Sequence, residues 1–334
     1  MRLLLILLHL SFFLATFTCN ADEQIFSDKS LTKKVILPDW FKLSFLDLKD
    51  DLDEAIAGNK KGIILYFGSK DCPYCKAFID NNWQRKDIVR YTRKNFDVIA
   101  IDTKGKKNIT DFNGLVYGEK EFSHKIKTNF TPSLLFFDGE GNNILRLSGY
   151  QQPYRFMAAL EYIAGNHFHN QSFKSYYSLA KESIDLGGKD ELNSQNYFDS
   201  PPHNLNRTRF KSSRPLAVFF ENKNCHACDI LHSNPLSNNL INNKLEEMDV
   251  IQLDITSPEK IITPKGQKTN VINWTKEIDV YYTPTIMFFD ESGNEIIRID
   301  SVVWVNRLGR VLDYIKSKAY NNNTSFQQWR STNN

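Results

Sequence analysis

Charge of one sign is what this 334-residue chain lacks: lysine and arginine number 42 and acids 39, a formal net charge of +3. A balance so near neutrality excludes polyanion binding as the default, and nucleic acid is not expected as a partner. Long hydrophobic runs are missing too. The strongest, Leu3 to Leu8 continued past His9 by Leu10, Phe12, Phe13, Leu14 and Phe17, falls short of the roughly 20 apolar residues of a membrane-spanning helix. Cysteine is scarce, with only Cys19, Cys72, Cys75, Cys225 and Cys228. What is present is ordinary: 41% hydrophobic and 24% charged residues, enough to bury a core and to exclude a wholly disordered chain. At roughly 150 residues per domain, the length suggests two domains.

Arg2 before the apolar run, with no acid near it, reads as a secretory signal peptide over residues 1–21. Cleavage after Ala21 places small residues, Cys19 and Ala21, at the third and first positions before the cut. It starts the mature chain at Asp22, removes Arg2, and leaves a charge of +2 and four cysteines. An uncleaved anchor is one alternative, and a lipid on Cys19 is another, though Phe17 and Thr18 fit a lipoprotein processing site poorly. Membrane contact is expected only if the segment is retained. The body is expected to be periplasmic or otherwise exported, and no KDEL-type signal follows Ser331-Thr-Asn-Asn334.

The remaining cysteines reveal a repeat. Cys72-Pro-Tyr-Cys75 and Cys225-His-Ala-Cys228 are offset by 153 residues, and Thr131-Pro132 and Thr283-Pro284 by 152. Each cysteine pair follows an apolar run, Ile63–Phe67 or Leu216–Phe220, that reads as a strand buried on both faces. A second run ends in aspartate, Val98–Asp102 or Val250–Asp254. A third follows each Thr-Pro, Leu134–Phe137 or Ile286–Phe289, and leads through an Asp-to-Asn turn into a short strand. Helical patterns fill the gaps. The expected class is therefore α/β: two domains, each a central mixed sheet covered by helices on both faces. The expected division is a segment 22–40, a first domain 41–165, a helix (172–185) with a polar linker over 166–212, a second domain 213–319 and a flexible tail 320–334.

A cysteine attacks as the thiolate, which a helix N-terminus stabilises through its free N–H groups and dipole. Proline at the first helical position costs no hydrogen bond, so Pro73 is compatible with a helix opening at Cys72. The two-residue spacing brings both sulfurs within reach of one disulfide. Cys72 and Cys225 are expected to attack, and Cys75 and Cys228 to resolve the mixed disulfide. No cofactor and no metal are called for. A zinc knuckle would bring its cysteine pairs within about 15–20 residues, whereas 149 residues separate these.

Strand, C-x-x-C helix, strand, helix, Thr-Pro, hairpin and closing helix together resemble the thioredoxin superfamily, over about residues 41–165 and again 213–319. The first half is similar to SoxW-type exported thioredoxins through Tyr66-Phe-Gly-Ser-Lys-Asp-Cys-Pro-Tyr-Cys75 and Thr131-Pro-Ser-Leu-Leu-Phe-Phe-Asp138. The resemblance implies cis bonds at Pro132 and Pro284 beside the dithiols, with Thr131 and Thr283 touching an extended substrate. Pro73, Tyr74 and His226, inside the two motifs, are the further candidate contacts. Two features depart from the family. The buried acid six residues before the first cysteine and the tryptophan just before it are replaced by Tyr66 and Asp71 in the first half, and by Phe219 and Asn224 in the second. Lys76 favours a Cys72 thiolate and Asp71 opposes it, as a protonated His226 and Asp229 do at Cys225. Unequal potentials are expected.

Plainer readings apply to other residues. Tyr74 could equally face solvent, His124 and His232 read as surface residues, and Lys104, Lys106 and Lys107 as a solvated cluster. The second half could also be a degenerate binding domain that keeps its cysteines without turnover. The leading expectation is an exported protein-disulfide reductase supplied by a membrane thiol donor. An oxidase or isomerase, and a redox-silent peptide-binding scaffold or chaperone, are the alternatives.

Overall fold

The computed structural model describes residues 26–182, 189–209 and 212–333; the expected signal peptide, 1–21, lies outside them. The first half runs α1 (Leu48–Ala57), β1 (Gly62–Gly68), α2 (Pro73–Asn81), α3 (Lys86–Asn95), β2 (Phe96–Asp102), a small hairpin β3 (Asn108–Thr110) and β4 (Val116–Gly118), α4 (Glu119–Lys125), β5 (Ser133–Asp138), β6 (Asn143–Ser148) and α5 (Pro153–Ala164). After α6 (Phe173–Glu182) the pattern returns: β7 (Leu216–Glu221), α7 (His226–Ser233), α8 (Asn239–Leu245), β8 (Asp249–Asp254), β9 (Lys260–Ile262), β10 (Lys268–Asn270), α9 (Val271–Glu277), β11 (Thr285–Phe289), β12 (Glu295–Ile299), α10 (Val305–Ser317) and α11 (Phe326–Thr332). Among the described residues no helix is long and apolar enough to cross a membrane.

The sheets have the orders β2-β1-β5-β6 and β12-β11-β7-β8. In each, the central strand pairs parallel with one neighbour, β2 or β8, and antiparallel with the other, β5 or β11. Every residue of β1 and β7 is buried, which is why neither run alternates in polarity. Alternate side chains serve opposite faces. Ile64 and Tyr66 join one cluster and Ile63, Leu65 and Phe67 the other, and β7 divides in the same way. The hairpin turns are built by Asp138 and Asp290, whose carboxylates accept from the backbone N–H groups two and four residues on.

Two expected loose segments are ordered. Residues 189–209, expected as polar linker, lie along the second domain: Asp199 N donates to Val250 O and Leu205 N to Ile262 O, both at 2.9 Å, and Leu205 is buried. The expected flexible tail forms α11, opened by a reciprocal cap between Ser325 and Gln328. Its Phe326, 1% exposed, packs on Tyr314 and on Phe130 of the first domain. Too few apolar residues mark these segments for periodicity to register, and a handful of anchors holds them. The helix expected over 172–185 is observed as Phe173–Glu182, with residues 183–185 outside the described set.

The halves meet with a pseudo-two-fold relation. Arg155 on α5 donates to Asp300 O of the second half at 3.0 Å and lies over the Tyr282 ring, 3.9 Å from its centroid. Arg307 on α10, 152 residues later, donates to Thr131 O of the first half at 2.6 Å and lies 3.4 Å from the Tyr74 centroid. Gly149, at φ +79°, has no room for a Cβ because Ser301, again 152 residues on, occupies that space. Equivalent loops of the repeat therefore face each other across the contact.

Candidate active site

Each dithiol sits where the central strand gives way to a helix. Cys72 is the N-cap of α2 in extended backbone, its sulfur accepts from Cys75 N at 3.0 Å, and Pro73 takes the first helical position. Cys225 caps α7 and accepts from Cys228 N at 3.1 Å. An N-cap side chain meets the orphan N–H groups of the first turn, so the first sulfur of each pair holds the position best suited to a negative charge. Both pairs are disulfide-bonded with Cα atoms 5.2 Å apart. Cys72 and Cys225 are 5% and 6% exposed, while Cys75 and Cys228 are more deeply buried.

Thr131 and Thr283 stand beside these sulfurs, each followed by a cis peptide bond to Pro132 or Pro284. The two hydroxyls act differently. Thr131 Oγ1 donates to Cys72 Sγ at 3.3 Å, whereas Thr283 Oγ1, 3.5 Å from Cys225 Sγ, donates to Asn222 Oδ1. A donor aimed at sulfur favours the thiolate, so this difference separates the two sites.

The carbonyls differ as well. Thr131 O, 3.5 Å from Cys72 Sγ, is held by the Arg307 guanidinium. Among the described residues no side chain takes Thr283 O. Tyr74 is neither solvent-facing nor a free contact: it is buried, its hydroxyl donates to Asp28 Oδ2 at 2.8 Å and accepts from Trp304 N at 2.9 Å, and Arg307 covers its ring. Burial raises its hydroxyl well above the usual phenol value. His226 is exposed at the start of α7 and borders a small cavity with Cys225, Tyr281, Tyr282 and Thr283.

The charges sit elsewhere than the sequence suggests. Lys76 pairs with Asp80, not with Cys72. Lys104, expected to be solvated, pairs with Asp71 at 2.7 Å. Burial pushes the Asp71 carboxyl up, but hydrogen bonds from Lys104 and Ser69 outweigh it and hold it below its usual range. His232, expected on the surface, is buried with Nε2 3.0 Å from Glu221 Oε1, while Gln252 Nε2 reaches Glu221 Oε2 at 3.1 Å. Glu221 is fully buried at the end of β7, and His232 lies one helical turn beyond Cys228, on the same side of α7. The first domain carries Gly68 at the position of Glu221. There the Tyr66 ring fills the space a side chain would need, and its buried hydroxyl has no hydrogen-bond partner among the described residues.

Comparison of the sequence with known families matches the family described as Thioredoxin-like domain twice, over residues 48–164 and 202–316. The chain belongs to this family. Its thioredoxin-like domains each carry one dithiol at disulfide distance, the equipment of thiol–disulfide exchange. Similar solved structures include a thioredoxin-fold protein from Helicobacter pylori, 22% identical over 38% of this chain and 88% of that one, with a TM-score of 0.34. A thioredoxin from Thermus thermophilus is 19% identical over 37% of this chain and 95% of its own, TM-score 0.29. A DsbH oxidoreductase is 19% identical over 42% and 95%, TM-score 0.28. Among curated proteins, none matches.

Sequence reasoning missed Arg307, Arg155, Asp28 and Glu221. The two arginines were findable, since they repeat at the offset of the two threonines. Glu221 ends the apolar run Leu216–Phe220 and sits four residues before Cys225, so a comparison confined to the sixth position before the cysteine passes over it.

Proposed function

We propose that the chain is an exported thiol–disulfide oxidoreductase that reduces protein disulfides and is recharged by a thiol donor at the membrane. The observation that carries the reading is the placement of Cys72 and Cys225: each is a helix N-cap whose sulfur accepts the N–H of its own resolving cysteine, with a threonine hydroxyl alongside. In the reduced chain the first cysteine attacks as thiolate and a substrate S–S bond breaks. The second cysteine then displaces the substrate sulfur from the mixed disulfide. Extended protein substrates enter at Cys225, where no side chain among the described residues hydrogen-bonds the carbonyl before Pro284, with His226 and Thr283 as contacts.

Trapping tests this. Cys228→Ser leaves Cys225 without its resolving partner and should accumulate protein mixed disulfides in the exported compartment; Cys75→Ser should accumulate few. A redox titration gives the direction. A potential near or below about −250 mV fits a reductase and one near −120 mV an oxidase. Absence of mixed disulfides from both variants, with binding unaltered by Cys225→Ser, would leave the scaffold reading in possession.

A further inference from the structure

Above Cys72 lies a cavity of about 220 Å³ built from both domains and both ends of the chain. Cys72 forms part of its wall. Arg307, Arg310, Arg330, Lys104 and Lys29 also line it, and among the described residues Asp28 and Asp71 are its only acids. Both acids are engaged. Asp28 accepts from Tyr74 Oη, from the backbone N–H groups of Asn306 and Arg307 and from Asn306 Nδ2, and Asp71 accepts from Lys104 and Ser69. Among the described residues, no carboxylate lies within ion-pair distance of Arg307, Arg310 or Arg330. Three guanidiniums thus converge beside one sulfur with no ion pair among the described residues, Asp28 and Asp71 attracting Arg307 and Arg330 only from beyond contact. Arg307 is 6% exposed, and its buried Nη1 has no hydrogen-bond partner among the described residues. Burial weakens the hold of Arg330 and Arg307 on their protons, Arg307 to about 10, and outweighs the attraction of Asp71 for Arg330 and of Tyr74 and Asp28 for Arg307; Arg310 repels Arg330, and Arg330 repels Arg307. Like charges gathered in a partly desolvated space repel one another, and an anion placed among them relieves that cost.

The backbone carbonyl beside this cavity is already taken. An extended chain docking at Cys72 needs the Thr131 carbonyl, which Arg307 Nη2 holds at 2.6 Å. The Cys225 site offers the opposite surroundings: its cavity is lined by Gln152, Tyr177, Asn224, Tyr281, Tyr282 and Thr283, with His226 the one titratable nitrogen among the described residues.

We propose that the Cys72–Cys75 site acts on low-molecular-weight disulfides that carry carboxylates, held by Arg310, Arg330 and Arg307, while the Cys225 site is indifferent to substrate charge. This deepens the oxidoreductase reading and rests on it. In the reduced protein the Cys72 thiolate attacks one sulfur of R–S–S–R, the S–S bond breaks, and the first RS⁻ leaves and takes up a proton. Cys75, losing its proton to solvent, attacks Cys72 Sγ and releases the second RS⁻, which takes up a proton as the first did. The dithiol gives up two electrons, and two RSH and one Cys72–Cys75 disulfide result.

The test uses the whole reduced chain and three disulfides of similar size: dithiodipropionate (two carboxylates), hydroxyethyl disulfide (neutral) and cystamine (two ammonium groups). Acid quenching, alkylation and mass spectrometry of the two cysteine peptides read each site separately in one molecule. At Cys72 the dianion should react roughly tenfold faster than the neutral compound and the dication slower still, within the range that local fields give association rates. At Cys225 the three should agree within about threefold, the scale of field-independent differences. Arg310→Gln combined with Arg330→Gln should flatten the ranking at Cys72. Should that variant fail to fold, added salt should compress the same ranking in the unaltered chain. A dianion no faster than the neutral compound at Cys72, or one ranking shared by both sites, overturns the proposal. Failure of the neutral disulfide to oxidise either pair removes the oxidoreductase reading beneath it, a result distinguishable from the other two.

Discussion

Replacing Arg307 by alanine tests how tightly the second domain closes the first domain's site. The guanidinium makes one charge-assisted hydrogen bond, to Thr131 O at 2.6 Å, and stacks 3.4 Å from the Tyr74 centroid. Such a bond contributes about 1.5–3 kcal/mol, and a desolvated cation–π contact about 2 kcal/mol. Against these stands the cost of holding the charge there. Burial lowers the guanidinium well below its ordinary value, to about 10, equivalent to roughly 3 kcal/mol. The balance leaves only about 1 kcal/mol favouring the docked arrangement, or roughly a fivefold change in the docked-to-open ratio. The domains should therefore still fold while the cover over Cys72 loosens. Reduced Arg307→Ala protein should be alkylated by iodoacetamide about five times faster at Cys72, with Cys225 changing less than about twofold, in line with that balance. An unchanged Cys72 rate would refute the idea that Arg307 is the closure, and equal acceleration at both cysteines would show that the substitution loosens the whole fold.

Glu221→Ala should cost about 3 kcal/mol in denaturant unfolding, because it strands His232 and Gln252 in a buried polar site; a loss below about 1 kcal/mol would show that solvent replaces the carboxylate. Phe326→Ala removes a fully buried ring between Phe130 and Tyr314, so a loss of about 3–5 kcal/mol and faster Cys72 alkylation are expected together. Loss of stability without a change at Cys72 would mean that α11 does not cover the site. Asp71 contributes a pH dependence of known sign. Its folded carboxyl lies below the usual 3.8, so the Lys104 contact stabilises fully above that value and is lost as acid carries the carboxyl through its folded titration. Carboxyl NMR should place Asp71 below 3.8 in the native chain and restore it towards 3.8 in Lys104→Ala.

Tandem α/β domains, the dithiols and the two Thr-Pro pairs were legible in the residue order because each depends on short-range chemistry. A strand buried on both faces shows as an unbroken apolar run, a helix start as a capping residue before Pro73, and a hairpin as Asp138 or Asp290 placed for its turn. Duplication supplied the check, since the same signals recur at 152 or 153 residues. The α11 cap was equally local, Ser325 three residues before Gln328, yet the polar stretch around it masked the signal.

Tertiary structure alone decided how the two sites differ. Arg307 follows Thr131 by 176 positions and Asp28 precedes Asn306 by 278. Nothing in the neighbourhood of any of these residues announces such pairings, because a charge is steered over that separation only after two cores have folded and docked. The same holds for Glu221 and His232, whose types say nothing of burial until β7 and α7 are laid together. Local pattern therefore sets what chemistry the chain carries. Packing sets which charges and hydrogen bonds surround each sulfur.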